Sequence, residues 1–134
     1  GGLEVALAAY QVDEVDSVRV ETPTRVFDSR GPEGYHGQGK YFDPVRGHIK
    51  GAGLADRAQT LDDDGTFKSP EDLRVHYDAL RNGQDADEII FYCGSGVTAA
   101  QNVLAMEHAG LPGARMYVGS WSEWIVDPDR EVEL

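Results

Sequence analysis

Three short apolar runs punctuate the chain: Arg25 to Asp28 (R-V-F-D), Glu88 to Tyr92 (E-I-I-F-Y) and Arg115 to Val118 (R-M-Y-V). Their brevity and their aromatic and β-branched content predict buried strands. Elsewhere the period changes to that of a helix. After Ser69-Pro70-Glu71-Asp72, the residues Leu73, Tyr77 and Leu80 fall on one face of a helix running to Arg81. A serine cap, a proline in the first turn and two acids beside the free amides start it, and Asn82-Gly83 supplies a left-handed stop. A second helix is predicted from Val97 to His108, with Val97, Ala100, Val103 and Leu104 on its apolar face and Gly110 and Pro112 ending it. Strands alternating with helices imply an α/β domain with a mainly parallel central sheet flanked by helices on both faces. Leu3 to Gln11 reads as a helix, and Asp13 to Glu21 alternates as a linker or an edge strand does. Residues 31 to 69, rich in glycine and proline, predict a long irregular connection of the kind that often carries function.

Charge narrows the partners. The 134 residues carry a net charge of -12. That excess repels phosphate backbones and anionic head groups, so neither nucleic acid nor a membrane surface is an expected partner. The apolar runs Val5 to Ala9 and Ile89 to Cys93 are far shorter than the roughly 18 residues a spanning helix requires. With no secretory leader in view, a cytoplasmic location is expected. Cys93 is the one cysteine, so it closes no disulfide within the chain and builds no thiolate zinc site. Its role is packing or chemistry.

The context of Cys93 favours chemistry. Glu88 to Ala100 reads as an apolar strand, the loop Cys93-Gly94-Ser95-Gly96-Val97-Thr98, and then a helix. That puts Cys93 at the C-terminal edge of a parallel sheet, where backbone amides and helix N-termini point outward and ligands bind. Glycines at 94 and 96 let several amides face the sulfur, which favours thiolate, the nucleophilic form. A cysteine phosphatase wants an arginine six positions after its nucleophile, where Ala99 stands, and a serine-hydrolase elbow wants glycines two residues either side of Ser95, where Cys93 and Val97 stand. Gly94 to Ala99 also fits the dinucleotide fingerprint G-x-G-x-x-A, but the next strand is followed by Gly119-Ser120 in place of an acid for the ribose.

The loop Cys93 to Ala99 resembles the active loop of the rhodanese family of sulfurtransferases. Asp28-Ser29-Arg30, Gly47 to Ala52, Asp64 to Ser69 and Gly119 to Trp124 resemble further family segments, in the family's order. The resemblance is to the C-terminal, catalytic half of two-domain members. It implies a rhodanese-like catalytic domain over residues 25–134, with residues 1–24 as a linker from a preceding rhodanese domain. The implied activity is ping-pong sulfur transfer: Cys93 takes a sulfane sulfur from a small anionic donor, carries it as a persulfide and passes it to cyanide or a thiol. Neither metal nor organic cofactor is implied. Amides of Gly94, Ser95, Gly96, Val97 and Thr98 would cradle the sulfur, with the Thr98 hydroxyl as a further donor or, equally, as a helix cap.

Within the family the uncharged loop is similar to that of members acting on 3-mercaptopyruvate, whereas thiosulfate enzymes tend to carry basic residues after the cysteine. Here those positions are Gly94 and Ser95. The arginine that the family places six residues after the Asp of its Asp-x-Arg motif is Gly34 in this chain, which leaves thiosulfate:cyanide specificity or a silent rhodanese-like binding module as alternatives. Between Arg30 and Arg57 five cations face three acids, so Lys40 and Arg46 are the candidate anion contacts. Asp28, Arg30, His48 and Trp121 are expected to support the pocket: Arg30 by pairing with Asp28 or a nearby carboxylate, His48 as architecture, and Trp121 and Trp124 by packing a helix on the core. His36, His76 and His108 show no ligand spacing.

Overall fold

The computed structural model describes residues 12–13, 24–38, 44–94 and 98–134. Five strands form one sheet: β1 (Val12–Asp13), β2 (Val26–Asp28), β4 (Gly53–Leu54), β5 (Ile90–Tyr92) and β6 (Arg115–Tyr117). Their order is β1-β6-β5-β2-β4, and every neighbouring pair is parallel. A separate antiparallel ribbon joins β3 (His48–Ile49) to β7 (Val132–Glu133). The helices are α1 (Pro32–Tyr35), α2 (Pro70–Arg81), α3 (Ala99–His108) and α4 (Ser120–Trp124).

Period-two alternation divides the strand side chains between two cores. Phe27, Phe91 and Met116 join Leu73 and Tyr77 of α2 and Ala100, Val103 and Met106 of α3 on one face. Val26, Ile90, Tyr92 and Tyr117 join Ile49 and Trp121 on the other, under α4 and the β3–β7 ribbon. The expected parallel sheet covered on both faces is therefore what the chain builds.

α2 follows its sequence signals closely. Ser69 Oγ accepts from the Asp72 amide at 3.2 Å, Pro70 opens the helix, and Asn82 and Gly83 take φ of 47° and 83°. α3 differs in detail. Leu104 is only half-buried, while Ala99, Asn102, Ala105 and Met106 are buried, because two neighbours flank the helix: α2 on one side and the 3-10 turn Arg57–Thr60 on the other. Residues 31 to 69 are less irregular than expected, holding α1, β3, β4 and that turn. Strands of two residues show no readable alternation, which is why the pattern missed them. Val12–Asp13 is an edge strand beside Met116 and Tyr117, and the helix expected over Leu3 to Gln11 lies outside the described residues.

Candidate active site

Three adjacent strands end at one edge of the sheet, and each delivers a polar group there. β2 ends in Asp28, β5 leads into Cys93, and β6 leads through Val118 and Gly119 into Ser120. Open parallel sheets place their ligands at this carboxyl edge.

Cys93 is 1% exposed and shares the core cluster of Phe91. The start of α4 encloses it. The Trp121 amide donates to the Cys93 carbonyl at 2.9 Å, and Ser122 donates to the Gly94 carbonyl twice, from its amide at 3.1 Å and its hydroxyl at 2.7 Å. These bonds commit the carbonyls of Cys93 and of the residue after it, oxygens that would otherwise oppose an anion nearby.

Ser120 reaches the cysteine from the neighbouring strand end. Its hydroxyl oxygen accepts the Cys93 amide at 3.1 Å, donates to the Tyr117 carbonyl at 2.9 Å and lies 4.0 Å from Cys93 Sγ. One hydroxyl proton thus has two acceptors within reach, a carbonyl and a sulfur. The arrangement depends on φ of 55° at Ser120, a left-handed conformation uncommon outside glycine, in a fully buried residue. Sequence reasoning placed Ser120 in a family-like segment without assigning its hydroxyl a role. The available signal was its place just after the strand adjacent to the cysteine strand.

Arg30 pairs with Asp28, as expected. Nε bonds both carboxylate oxygens, at 3.1 and 3.0 Å, and Nη2 reaches Oδ2 at 2.6 Å and the Gly47 carbonyl at 2.6 Å. The guanidinium also lies over the Trp121 ring, 4.9 Å from its centroid. Asp28 is fully buried, so the multiply bonded pair is what allows a charge at this depth. Gly34 lies against the Arg30 stem. A Cβ at residue 34 would stand 3.2 to 3.4 Å from Arg30 Cβ, Cδ and Nε, so the absent side chain leaves room for this packing.

The supporting residues are mostly architectural. His48 is buried, with Nδ1 2.6 Å from the Tyr35 carbonyl and Nε2 3.2 Å from Glu133 Oε1, and its ring stacks on Tyr35 at 3.6 Å. Because a carbonyl only accepts, Nδ1 carries a proton, and neither nitrogen is turned to the cysteine. Gly47, at φ 111°, sits where a Cβ would collide with the Glu133 carbonyl, so only glycine brings the loop under β7. Tyr92 accepts the Ile49 amide at 3.0 Å; burial, with Asp28 nearby, pushes its phenol well above the usual range. Tyr35, raised by burial and then by Glu133 and Asp28, donates to the Ala52 carbonyl at 2.6 Å. Both stay protonated and neither offers a base.

Arg46 is exposed, its Nη1 3.5 Å from the Gly37 carbonyl. Lys40, Ser95, Gly96 and Val97 lie outside the described residues. Thr98 occupies the cap position of α3 in helical dihedrals, and its hydroxyl makes no capping bond. Trp121 is buried and Trp124 half-buried, donating to the Val45 and Glu131 carbonyls, so both pack α4 as expected. His36 and His108 are exposed, and His76, half-buried, is shifted down by burial and then by Lys68.

The Rhodanese-like domain family matches residues 11–127. A probable 3-mercaptopyruvate sulfurtransferase of Pseudomonas aeruginosa is 47% identical over 107 residues, covering 80% of this chain and 38% of its own length. A thiosulfate sulfurtransferase of Bos taurus is 36% identical over 104 residues, covering 75% of this chain and 35% of its own. Among solved structures, the 3-mercaptopyruvate sulfurtransferase from Leishmania major superposes with a TM-score of 0.70 at 29% identity, over 85% of this chain and 32% of that one. The chain thus spans well under half the length of these relatives. No helix among the described residues is long and apolar enough to cross a membrane. With a parallel sheet, a cysteine at its carboxyl edge and a family match over nearly its whole length, the chain belongs to the rhodanese-like domain family.

Proposed function

We propose that this chain is the catalytic module of a sulfurtransferase that carries sulfane sulfur on Cys93. The observation that carries the reading is the position of Cys93 at the carboxyl end of β5, 4.0 Å from the Ser120 hydroxyl and followed by glycine, in a chain matched by the rhodanese-like family. In the first step the Cys93 thiolate attacks the sulfur of 3-mercaptopyruvate. An S–S bond forms, the C–S bond breaks, and its electron pair leaves on the pyruvate enolate, which takes a proton to become pyruvate. In the second step cyanide or a thiolate attacks the outer sulfur, the S–S bond breaks, and Cys93 is regenerated.

Main-chain amides of Gly94 to Thr98 hold the persulfide anion, and the Ser120 proton turns from Tyr117 to the sulfur as charge develops. Asp28 and Arg30 shape the floor beside Gly94; Lys40 and Arg46 attract the donor carboxylate. The uncharged Gly94-Ser95 pair supports 3-mercaptopyruvate over the doubly charged thiosulfate. The lone thiol suits the reducing cytoplasm. In the full-length protein a preceding rhodanese domain, joined ahead of β1, completes the donor pocket, a reading supported by the greater length of the relatives.

The test offers 3-mercaptopyruvate or thiosulfate with cyanide or a reduced thiol, using wild type and Cys93→Ala, and reads turnover and intact mass. Turnover and one added sulfur in wild type, both lost in the variant, are expected. A folded full-length wild-type protein showing neither with either donor overturns the reading.

A further inference from the structure

A buried polar triad lies beside the site and takes no part in the chemistry above. Asn102, in the first turns of α3, is fully buried. Its Nδ2 donates to Ser29 Oγ at 2.8 Å and to the Ala55 carbonyl at 2.8 Å, while its Oδ1 accepts from the Tyr77 hydroxyl at 2.6 Å. Burying an amide so placed is costly, and the cost is returned only when every group is paired, as these are. An apolar side chain packs the same volume without that demand, so packing alone does not explain asparagine here.

Ser29 gives the triad its meaning. Fully buried between Asp28 and Arg30, it donates its amide to the Tyr92 carbonyl at 2.7 Å and receives Asn102 on its hydroxyl. Tyr92 is the residue before Cys93, and Asn102 lies in the helix that follows the loop. One residue therefore grips the chain on both sides of the cysteine. The adjacent Gln101 adds a second tie, donating to the Arg57 carbonyl at 3.1 Å and Thr60 Oγ1 at 2.9 Å.

We propose that Ser29 and Asn102 are positioning residues that fix the distance between the two roots of the cysteine loop and hold Cys93 in register with Arg30. This rests on the sulfurtransferase reading for its consequence in turnover, though not for its consequence in the thiol. A displacement near 1 Å at a reacting centre costs up to about 100-fold in rate, so a loosened root moves the amides relative to the sulfur while leaving donor encounter nearly as it was.

The experiment compares wild type with Asn102→Leu, of similar volume, and with Ser29→Ala. It measures the pH profile of Cys93 alkylation by iodoacetamide, kcat and KM with 3-mercaptopyruvate, and thermal melting. In Asn102→Leu the alkylation profile is expected to move to higher pH, and kcat to fall about tenfold with KM changed less than about threefold. An alkylation profile and kcat matching wild type, with only a lower Tm, would reduce Asn102 to a core residue and overturn the proposal. If Asn102→Leu does not fold, Ser29→Ala decides: a shift in the same direction supports the pair, and an unmoved profile overturns it. Alkylation needs no sulfur donor. A shifted profile in the variants with no wild-type turnover leaves the pair standing and removes the transferase reading; turnover with an unshifted profile does the reverse.

Discussion

α2 and the carboxyl edge of the sheet are built by opposite rules. Apart from the Tyr77 hydroxyl on Asn102, the polar bonds of α2 are local: Ser69 to Asp72, Arg74 to Asp78 and Arg81 to Asp78 span three or four residues. At the sheet edge Arg30 reaches Gly47 across 17 positions, Cys93 reaches Ser120 across 27, and Asn102 reaches Ser29 across 73. The helix stands on bonds that short segments of the chain form by themselves. The edge exists only after distant segments have closed on one another, so each tie there fixes the placement of several strands. Losing a helix bond should therefore cost only that bond, and losing an edge bond should cost more.

The comparison breaks most readily at Asp28, only two positions from Arg30 but the anchor of the guanidinium that reaches Gly47. Asp28→Asn keeps the shape and leaves the Arg30 charge facing a neutral amide, and is expected to destabilise the fold by about 3 kcal/mol, as one-sided loss of a buried pair does. Urea unfolding measures it, and a loss below about 1 kcal/mol would make this edge no more demanding than a helix terminus. Ser69→Ala supplies the local counterpart. It removes one cap from α2 and should cost about 1 kcal/mol, with sulfur transfer unchanged. A fall in kcat in that variant would contradict the separation between the two regions.

The smallest effect is expected at the ribbon, through pH. The Gly51 amide, and next His48, hold the Glu133 carboxyl below its ordinary value of 4.5. A carboxyl held low contributes stability that is complete above the ordinary value and disappears as pH falls through the lowered one. The Tm of wild type should thus fall more steeply in acid than that of Glu133→Gln, the two curves converging at low pH. Parallel curves would show that the contact gives the ribbon no pH dependence.

This division also decides what was legible in the sequence. Ser69-Pro70 and Asn82-Gly83 announced both ends of α2 because their effect acts within one turn. The apolar runs ending in Asp28 and Tyr92 announced buried strands, and a cysteine followed by Gly94 announced the site. Nothing local marks Ser120 as left-handed, and nothing near Ser29 points to Asn102. A serine and an asparagine in isolation read as surface or turn residues until the fold brings them together. The pairing of β3 with β7 was hidden for the same reason: two residues are too few to alternate, and their partners lie 83 or more positions away.

The strand order carries a consequence for how the molecule comes into being. β2 has β4 and β5 as its neighbours, and β5 begins at Ile90. During synthesis, a nascent chain that stops short of Ile90 offers Val26–Asp28 only the two residues Gly53–Leu54 to pair with, and it leaves the Ser29 amide without the Tyr92 carbonyl. Parallel pairings this distant in sequence close late, after local helices such as α2 have had time to form. The pocket is thus assembled after the local helices, when the segment bearing the nucleophile slides in beside a strand made some sixty residues earlier.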